Sequence, residues 1–123
     1  MRDPFKKLLN NVRSTRRVRP TCESPLPIEI TVDDLKELFR QQEGRCAILG
    51  TKLDPYKVFV SNHPLAPSVD RLDNTKGYTL DNIQICSRFA NFGKCSYPHE
   101  QMGPVVEQIK EGFVKKSWWS NWL

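Results

Sequence analysis

No apolar run in this 123-residue chain approaches the roughly 20 residues that a membrane-spanning helix needs, which excludes a protein built on such helices. The opening Met1-Arg2-Asp3-Pro4 has nothing of the apolar core of a secretion signal, so an intracellular, cytoplasmic protein is expected. Cysteine is sparse. Cys22, Cys46, Cys86 and Cys95 include no C-x2-C pair, so structural zinc is not expected and buried free thiols are. Histidine is scarcer still, and any imidazole chemistry rests on His63 or His99. Acidic residues are nearly missing from the start of the chain: residues 1–20 hold seven Lys or Arg against Asp3 alone, whereas the rest balances 12 basic with 13 acidic side chains.

That asymmetry accounts for the whole net charge of +5. It points to a polyanion as partner, nucleic acid foremost, with Arg13, Arg16, Arg17 and Arg19 as expected phosphate contacts. The alternative is a solvated basic face with no specific partner. With 38% hydrophobic and 27% charged residues, the chain is sized for one small domain with a modest core. Residues 1–30 read as a basic helix and linker, and residues 31–123 as the folded domain, of α+β class.

Phe5, Leu8, Leu9 and Val12 recur at helical spacing, which predicts an amphipathic helix from Pro4 to about Thr15 that packs on the core and turns its basic residues outward. Pro20, Pro25 and Pro27 make residues 20–30 an extended connector. Thr31 with Asp34 forms a capping-box pattern, opening a helix to about Glu43 that buries Val32, Leu35, Leu38 and Phe39 and ends at Gly44. Cys46 to Leu49 reads as a strand turned by Gly50-Thr51, and Tyr56, Val58 and Val60 alternate like another. Beyond a loop at 96–103, Val105, Val106, Ile109 and Phe113 predict a helix from Pro104 to about Lys116. Trp118, Trp119 and Trp122 then either fold back on the core or make a protein contact, including a homo-oligomer.

The chemistry concentrates in residues 68–94. Val69 to Leu72 is a short strand, residues 73–77 supply turn formers with Gly77 suited to positive φ, and Asn82 to Ile85 is the returning strand. Residues 86–94 then predict a helix whose Phe89, Ala90 and Phe92 pack back onto the hairpin. Asp70 on the strand and Asn91 on the helix both offer oxygen, the donor that Mg²⁺ takes alongside water and substrate phosphate. An ion so held stabilises the leaving oxygen in phosphodiester cleavage.

The ordered set Asp70-Arg71-Leu72-Asp73, Lys76-Gly77-Tyr78, Asp81-Asn82-Ile83-Gln84 and Asn91-x-x-Lys94, preceded by Gly44-Arg45-Cys46-Ala47-Ile48-Leu49-Gly50, resembles the HNH endonucleases of the ββα-metal class. In particular it looks like the phage-type variant with Asp-Arg-Ile-Asp where other members have Asp-His. The resemblance spans roughly residues 31–95. It implies a finger core at 68–94 flanked by N- and C-terminal helices, one Mg²⁺ or Mn²⁺ on Asp70 and Asn91, and Asn82 as the brace of the loop. Many members carry two zinc knuckles. Here Leu49 and Phe89 stand at the second ligand positions after Cys46 and Cys86, implying a hydrophobic cluster in place of zinc.

Arg71 occupies the position of the activating histidine, and arginine cannot serve as a base. It is expected to bind the scissile phosphate with Arg88 and Lys94, leaving His63 or Asp73, and less readily His99, as base. The implied function is a metal-dependent DNA endonuclease or nickase that leaves 5′-phosphate and 3′-hydroxyl ends. The alternative is a non-catalytic DNA-binding protein retaining a degenerate finger.

Overall fold

The structure is a computed structural model that describes residues 2–18, 27–95 and 97–114. Helix α1 (Pro4–Val18) and helix α2 (Val32–Gln41) precede an antiparallel hairpin of β1 (Pro67–Arg71) and β2 (Ile83–Ser87), which runs directly into helix α3 (Arg88–Lys94). Helix α4 (Met102–Val114) closes the described chain, giving a small α+β domain. Short 3₁₀ turns at Pro55–Phe59, Leu80–Asn82 and His99–Gln101 connect these elements. The predicted roles of Arg19, Cys22, Trp118, Trp119 and Trp122 lie outside the described residues, as do those of the Arg16 and Arg17 side chains.

Helix α1 is part of the core. Leu8, Leu9 and Val12 are buried with Leu35, Val69, Ile83 and Ile85, and Phe5 meets Phe39 edge-on at 5.4 Å. Its polar side leaves Lys6, Lys7 and Arg13 exposed. The expected capping box is present at α2: the Asp34 amide donates to Thr31 Oγ1 at 3.1 Å and the Thr31 amide to Asp34 Oδ2 at 2.9 Å, satisfying two N–H groups that the first turn leaves open.

Two expected strands are absent for identifiable reasons. Cys46–Leu49 closes a tight turn, with the Cys46 amide donating to the Thr51 carbonyl and the Gly50 amide to the Cys46 carbonyl, both at 2.8 Å. Residues 55–59 instead form a 3₁₀ turn. Asp54 accepts from the Tyr56 amide and Pro55 is preset for a helical start, a local preference that outweighs the weak alternation of Tyr56, Val58 and Val60.

The hairpin is fastened on every side. Asp70 faces Gln84 and Ser68 faces Cys86 across the ladder. The outer edge of β2 is satisfied by Gln42, whose amide accepts from the Ile85 N–H at 2.9 Å and donates to the Ile85 carbonyl at 2.8 Å, while the Ala47 amide also donates to that carbonyl. Gly77 serves close approach rather than positive φ: a Cβ there would stand 2.3 Å from the Pro27 carbonyl oxygen, which accepts from the Tyr78 amide. That contact ties residues 27–29 to the hairpin as an extended segment.

The loop between the strands closes around Asn82. Its Oδ1 accepts from the Asp73 amide at 2.9 Å, and its Nδ2 donates to the carbonyls of Asp73 and Gly77 at 3.0 and 2.9 Å. Asn82→Ala leaves these buried backbone groups unpaired and is expected to cost about 2–3 kcal/mol in urea unfolding. Asn82→Asp keeps the acceptor but loses both donors, so it should be no better than alanine. An aspartate variant as stable as the parent would show that the donors are dispensable.

Candidate functional site

In β1 the side chains of Ser68 and Asp70 fall on one face, two residues apart, and in α3 those of Asn91 and Lys94 fall on one face, three apart. The two faces meet as two rungs. Asn91 Nδ2 donates to Ser68 Oγ at 2.7 Å, and Lys94 Nζ donates to Asp70 Oδ2 at 2.6 Å. Helix α3 is aimed for this by its first turn, where Ser87 Oγ caps the Ala90 amide and the carbonyls of Ala66 and Pro64 accept from Arg88 and Phe89.

Lys94, expected to meet DNA phosphate, is instead 1% exposed, and its ammonium also donates to the Arg71 carbonyl at 2.8 Å. Asp70 is 5% exposed and takes a second donor, Gln84 Nε2, at 2.9 Å. Gln84 in turn lies 3.1 Å from His99 Nδ1. With one amide hydrogen on Asp70 and the other on His99, Nδ1 is an acceptor and the imidazole proton sits on Nε2. A chain of four side chains, Lys94, Asp70, Gln84 and His99, therefore runs from α3 through the hairpin to the entrance of α4.

The two histidines exchange the rank that the sequence suggests. His63 belongs to the turn at the N-terminal end of α3, where its Nδ1 accepts from the Leu65 amide. Lys94 and Asp70 meet at the other end of that helix, about 9 Å further along at 1.5 Å per residue. His99, the lesser candidate, is the histidine that joins the Asp70 network. Its signal was weak in sequence because it follows the finger motif by a loop.

Arg71 is committed locally. Its Nη1 donates to the carbonyls of Asn74 and Lys76, and its guanidinium lies 5.0 Å from the Tyr78 ring centroid, leaving Nε and Nη2 without a partner among the described residues. Asp73 holds the loop by accepting from the Thr75 hydroxyl and amide. Those bonds keep its carboxyl below the usual carboxylate range, which makes it a poorer base. Arg88 stacks on Phe92 at 5.2 Å.

The donors suit a hard cation in chemistry. Both bonds to Asp70 land on Oδ2 and Asn91 is engaged through its nitrogen, so one carboxylate and one amide oxygen keep free lone pairs among the described residues. Mg²⁺ takes one or two such oxygens and completes its shell with water and phosphate. No group of three His, Cys, Asp or Glu that could hold a metal occurs among the described residues.

The hydrophobic cluster expected of Cys46, Leu49, Cys86 and Phe89 forms only in part: Leu49 packs against the core with the two thiols, and Phe89 does not join it. Cys46 and Cys86 are buried free thiols, and Cys46 Sγ accepts from the amides of Leu49 and Ser87 at 3.4 and 3.3 Å. The hydrogen bond from Cys86 and these amides pull the Cys46 thiol well below its ordinary value, while the same bond and burial push Cys86 up. Phe89 and Phe92, expected on the hairpin, point outward at 66% and 69% exposure, because Ala90 and Lys94 take the inner face of α3.

Lys94→Met strands the Asp70 carboxylate in the interior and is expected to cost about 3 kcal/mol or more. Adding Asp70→Asn to that variant should recover most of the loss. Additive losses in the double-mutant cycle would mean that the pair is not coupled.

Comparison of the chain with protein-family models, with curated proteins and with solved structures finds no match to any of them.

Proposed function

We propose that the chain is a metal-dependent DNA endonuclease or nickase, with Asp70 and Asn91 as ligands of one Mg²⁺ or Mn²⁺. The observation that carries this reading is the pair of rungs between β1 and α3, which leaves Oδ1 of Asp70 and Oδ1 of Asn91 without a hydrogen-bond partner among the described residues. A divalent ion bound there supplies the positive charge that stabilises the leaving oxygen of a phosphodiester.

The protein's own groups do the rest. Lys94 holds the Asp70 carboxylate at Oδ2, so that Oδ1 is the oxygen left to a ligand. Asn82 fixes the loop whose carbonyls anchor Arg71 Nη1, which leaves Nε and Nη2 of Arg71 to grip a phosphate oxygen. His99, with its proton on Nε2, is available as a hydrogen-bond donor to the substrate. Exposed Lys6, Lys7 and Arg13 on α1 provide sequence-independent contacts to the DNA backbone.

A second reading, a DNA-binding protein without catalysis, is favoured by the ammonium already seated on Asp70. Nicking of supercoiled plasmid with Mg²⁺ or Mn²⁺ separates the two. Asn91→Ala is the informative variant because it leaves the buried ion pair in place. Its nicking rate should fall by about 10²-fold or more, the loss typical of removing one preorganised group. A parent with no metal-dependent nicking, or an Asn91→Ala variant that cuts at the parental rate, rejects the proposal.

DNA affinity provides a second measurement. Deleting α1 would take Leu8, Leu9 and Val12 from the core, so its charge is better tested by Lys6→Gln, Lys7→Gln and Arg13→Gln together. Removing each cation that pairs with a phosphate should flatten the slope of log K against log salt by about 0.9 on duplex DNA. An unchanged slope would show that this face does not meet DNA.

A further inference from the structure

Helix α3 turns a charged aromatic edge to solvent. At about 100° per residue, Ala90 and Lys94 take its inner side, Asn91 its flank toward β1, and Arg88, Phe92 and Phe89 follow one another across its outer side. Phe92 and Phe89 are 69% and 66% exposed, and the Arg88 guanidinium lies 5.2 Å from the Phe92 ring centroid. Arg88 itself is half-buried, with neither an ion-pair partner nor a side-chain hydrogen bond among the described residues. Helix α3 and the turn 63–66 that its first amides bond contain no Asp or Glu, and the Lys94 charge is already matched by Asp70. Arg88 is the cation that remains. A guanidinium partly out of water with its N–H donors unclaimed is the complement of an anion. The ring beside it adds an apolar face suited to a flat group, and a nucleotide carries both.

We propose that this outer edge of α3 is a stacking platform for an unpaired nucleotide, with the base on Phe92 and a phosphate on Arg88. The inference rests on the reading of the chain as a protein that acts on DNA, and it narrows the substrate to DNA that is unpaired beside the site. Within a duplex the base faces are covered by one another, and the outside offers backbone and groove edges alone. A protein ring therefore takes a base face where the strand is single. Placement supports this. Phe92 stands about 40° from Arg88 round the helix and Asn91 about 60° on the opposite side, so the platform borders the face on which Asn91 meets Ser68. A strand laid across Asp70 and Asn91 runs on to Arg88 and Phe92.

A second copy of the chain is the competing occupant. A two-fold contact sets one patch against itself, which here brings Arg88 toward Arg88 with no carboxylate on α3 to offset the repulsion. An anionic bilayer would meet the charge but gives no part to the nearness of Asn91.

Fluorescence anisotropy in EDTA measures binding apart from any cleavage. The full-length protein should bind a labelled oligothymidylate about tenfold or more tighter than an abasic strand of equal length and charge, since stacking on an aromatic side chain contributes roughly five- to 150-fold per base. That comparison needs no variant. Phe92→Ala, at an exposed position, should lose most of the preference with an unchanged far-ultraviolet circular dichroism spectrum, and should hold the abasic strand as before. Phe92→Leu should lose it as well, because leucine keeps apolar surface without the ring. Arg88→Gln should weaken both strands alike and flatten the slope of log K against log salt by about 0.7. A parent that does not distinguish the two strands overturns the proposal, as does a preference kept by Phe92→Ala or kept in full by Phe92→Leu. Without a base preference, binding to vesicles of anionic phospholipid that Phe92→Ala abolishes would assign the edge to a membrane, and a dimer that the same variant dissociates would assign it to a second copy. Base preference in a protein that never nicks would leave the platform standing and reject the endonuclease, and nicking without base preference would do the reverse.

Discussion

The buried pair of Lys94 and Asp70 is the contact on which the hairpin and its helix depend, because it is a buried polar fastening between the end of α3 and β1. A buried ion pair is a weak source of net stability, since taking two charges out of water costs several kcal/mol each. This one is tolerated because the remaining hydrogen-bonding capacity is largely met. Lys94 has the Arg71 carbonyl as a second acceptor and Asp70 has Gln84 as a second donor. What the pair provides is geometry: it sets the rotation of α3 so that Asn91 meets Ser68, and the outward direction of Phe89 and Phe92 follows.

Around it the domain replaces extended sheet with single side chains. A two-stranded ribbon is marginal alone. Here β2 gains an equivalent of a third strand from the Gln42 amide and the Ala47 N–H, and its far end is sealed by Cys46 Sγ accepting from Ser87. The turn that carries Cys46 thus fastens the hairpin. Amide donors to the Cys46 sulfur, with Leu49 packed against the core, hold the turn in place. Such links are short and directional, which lets a small core position several polar side chains.

What was legible in the sequence was whatever local chemistry determines. Thr31 and Asp34 announce a helix start because both partners lie within four residues, and the turn between the strands is marked by its own composition. Periodicity sufficed for α1, α2 and α4. It failed at Cys46–Leu49 and Tyr56–Val60, where four or five apolar-rich residues fit a strand or a turn equally well and the hydrogen bonds of Thr51 and Asp54 decide. It failed again on α3. In a seven-residue helix the two phenylalanines look like the core face, and only the ion pair, made 24 residues away in sequence, reveals that Ala90 and Lys94 hold it. Gly77 was noticed as a turn former, yet the constraint on it comes from Pro27, fifty residues earlier in the chain.

The charge arrangement bears on how a polyanion would approach. Asp70 and Lys94 cancel at short range, so the centre of the finger offers neither strong repulsion nor strong attraction to phosphate. Attraction would have to come from the periphery: from Nε and Nη2 of Arg71, which have no partner among the described residues, from Arg88 beside Phe92, and from the exposed cations of α1. Charges in water act over roughly 8–10 Å at physiological salt, enough to orient a duplex but not to select a bond within it. Under the proposed function, selection would fall to Oδ1 of Asp70, Oδ1 of Asn91 and Arg71, whose remaining donors are held in place by the loop that Asn82 closes. Steering and chemistry would then fall to different residues. A loss of affinity with the site intact, and a loss of cleavage with affinity intact, would therefore be separable if the proposed function holds.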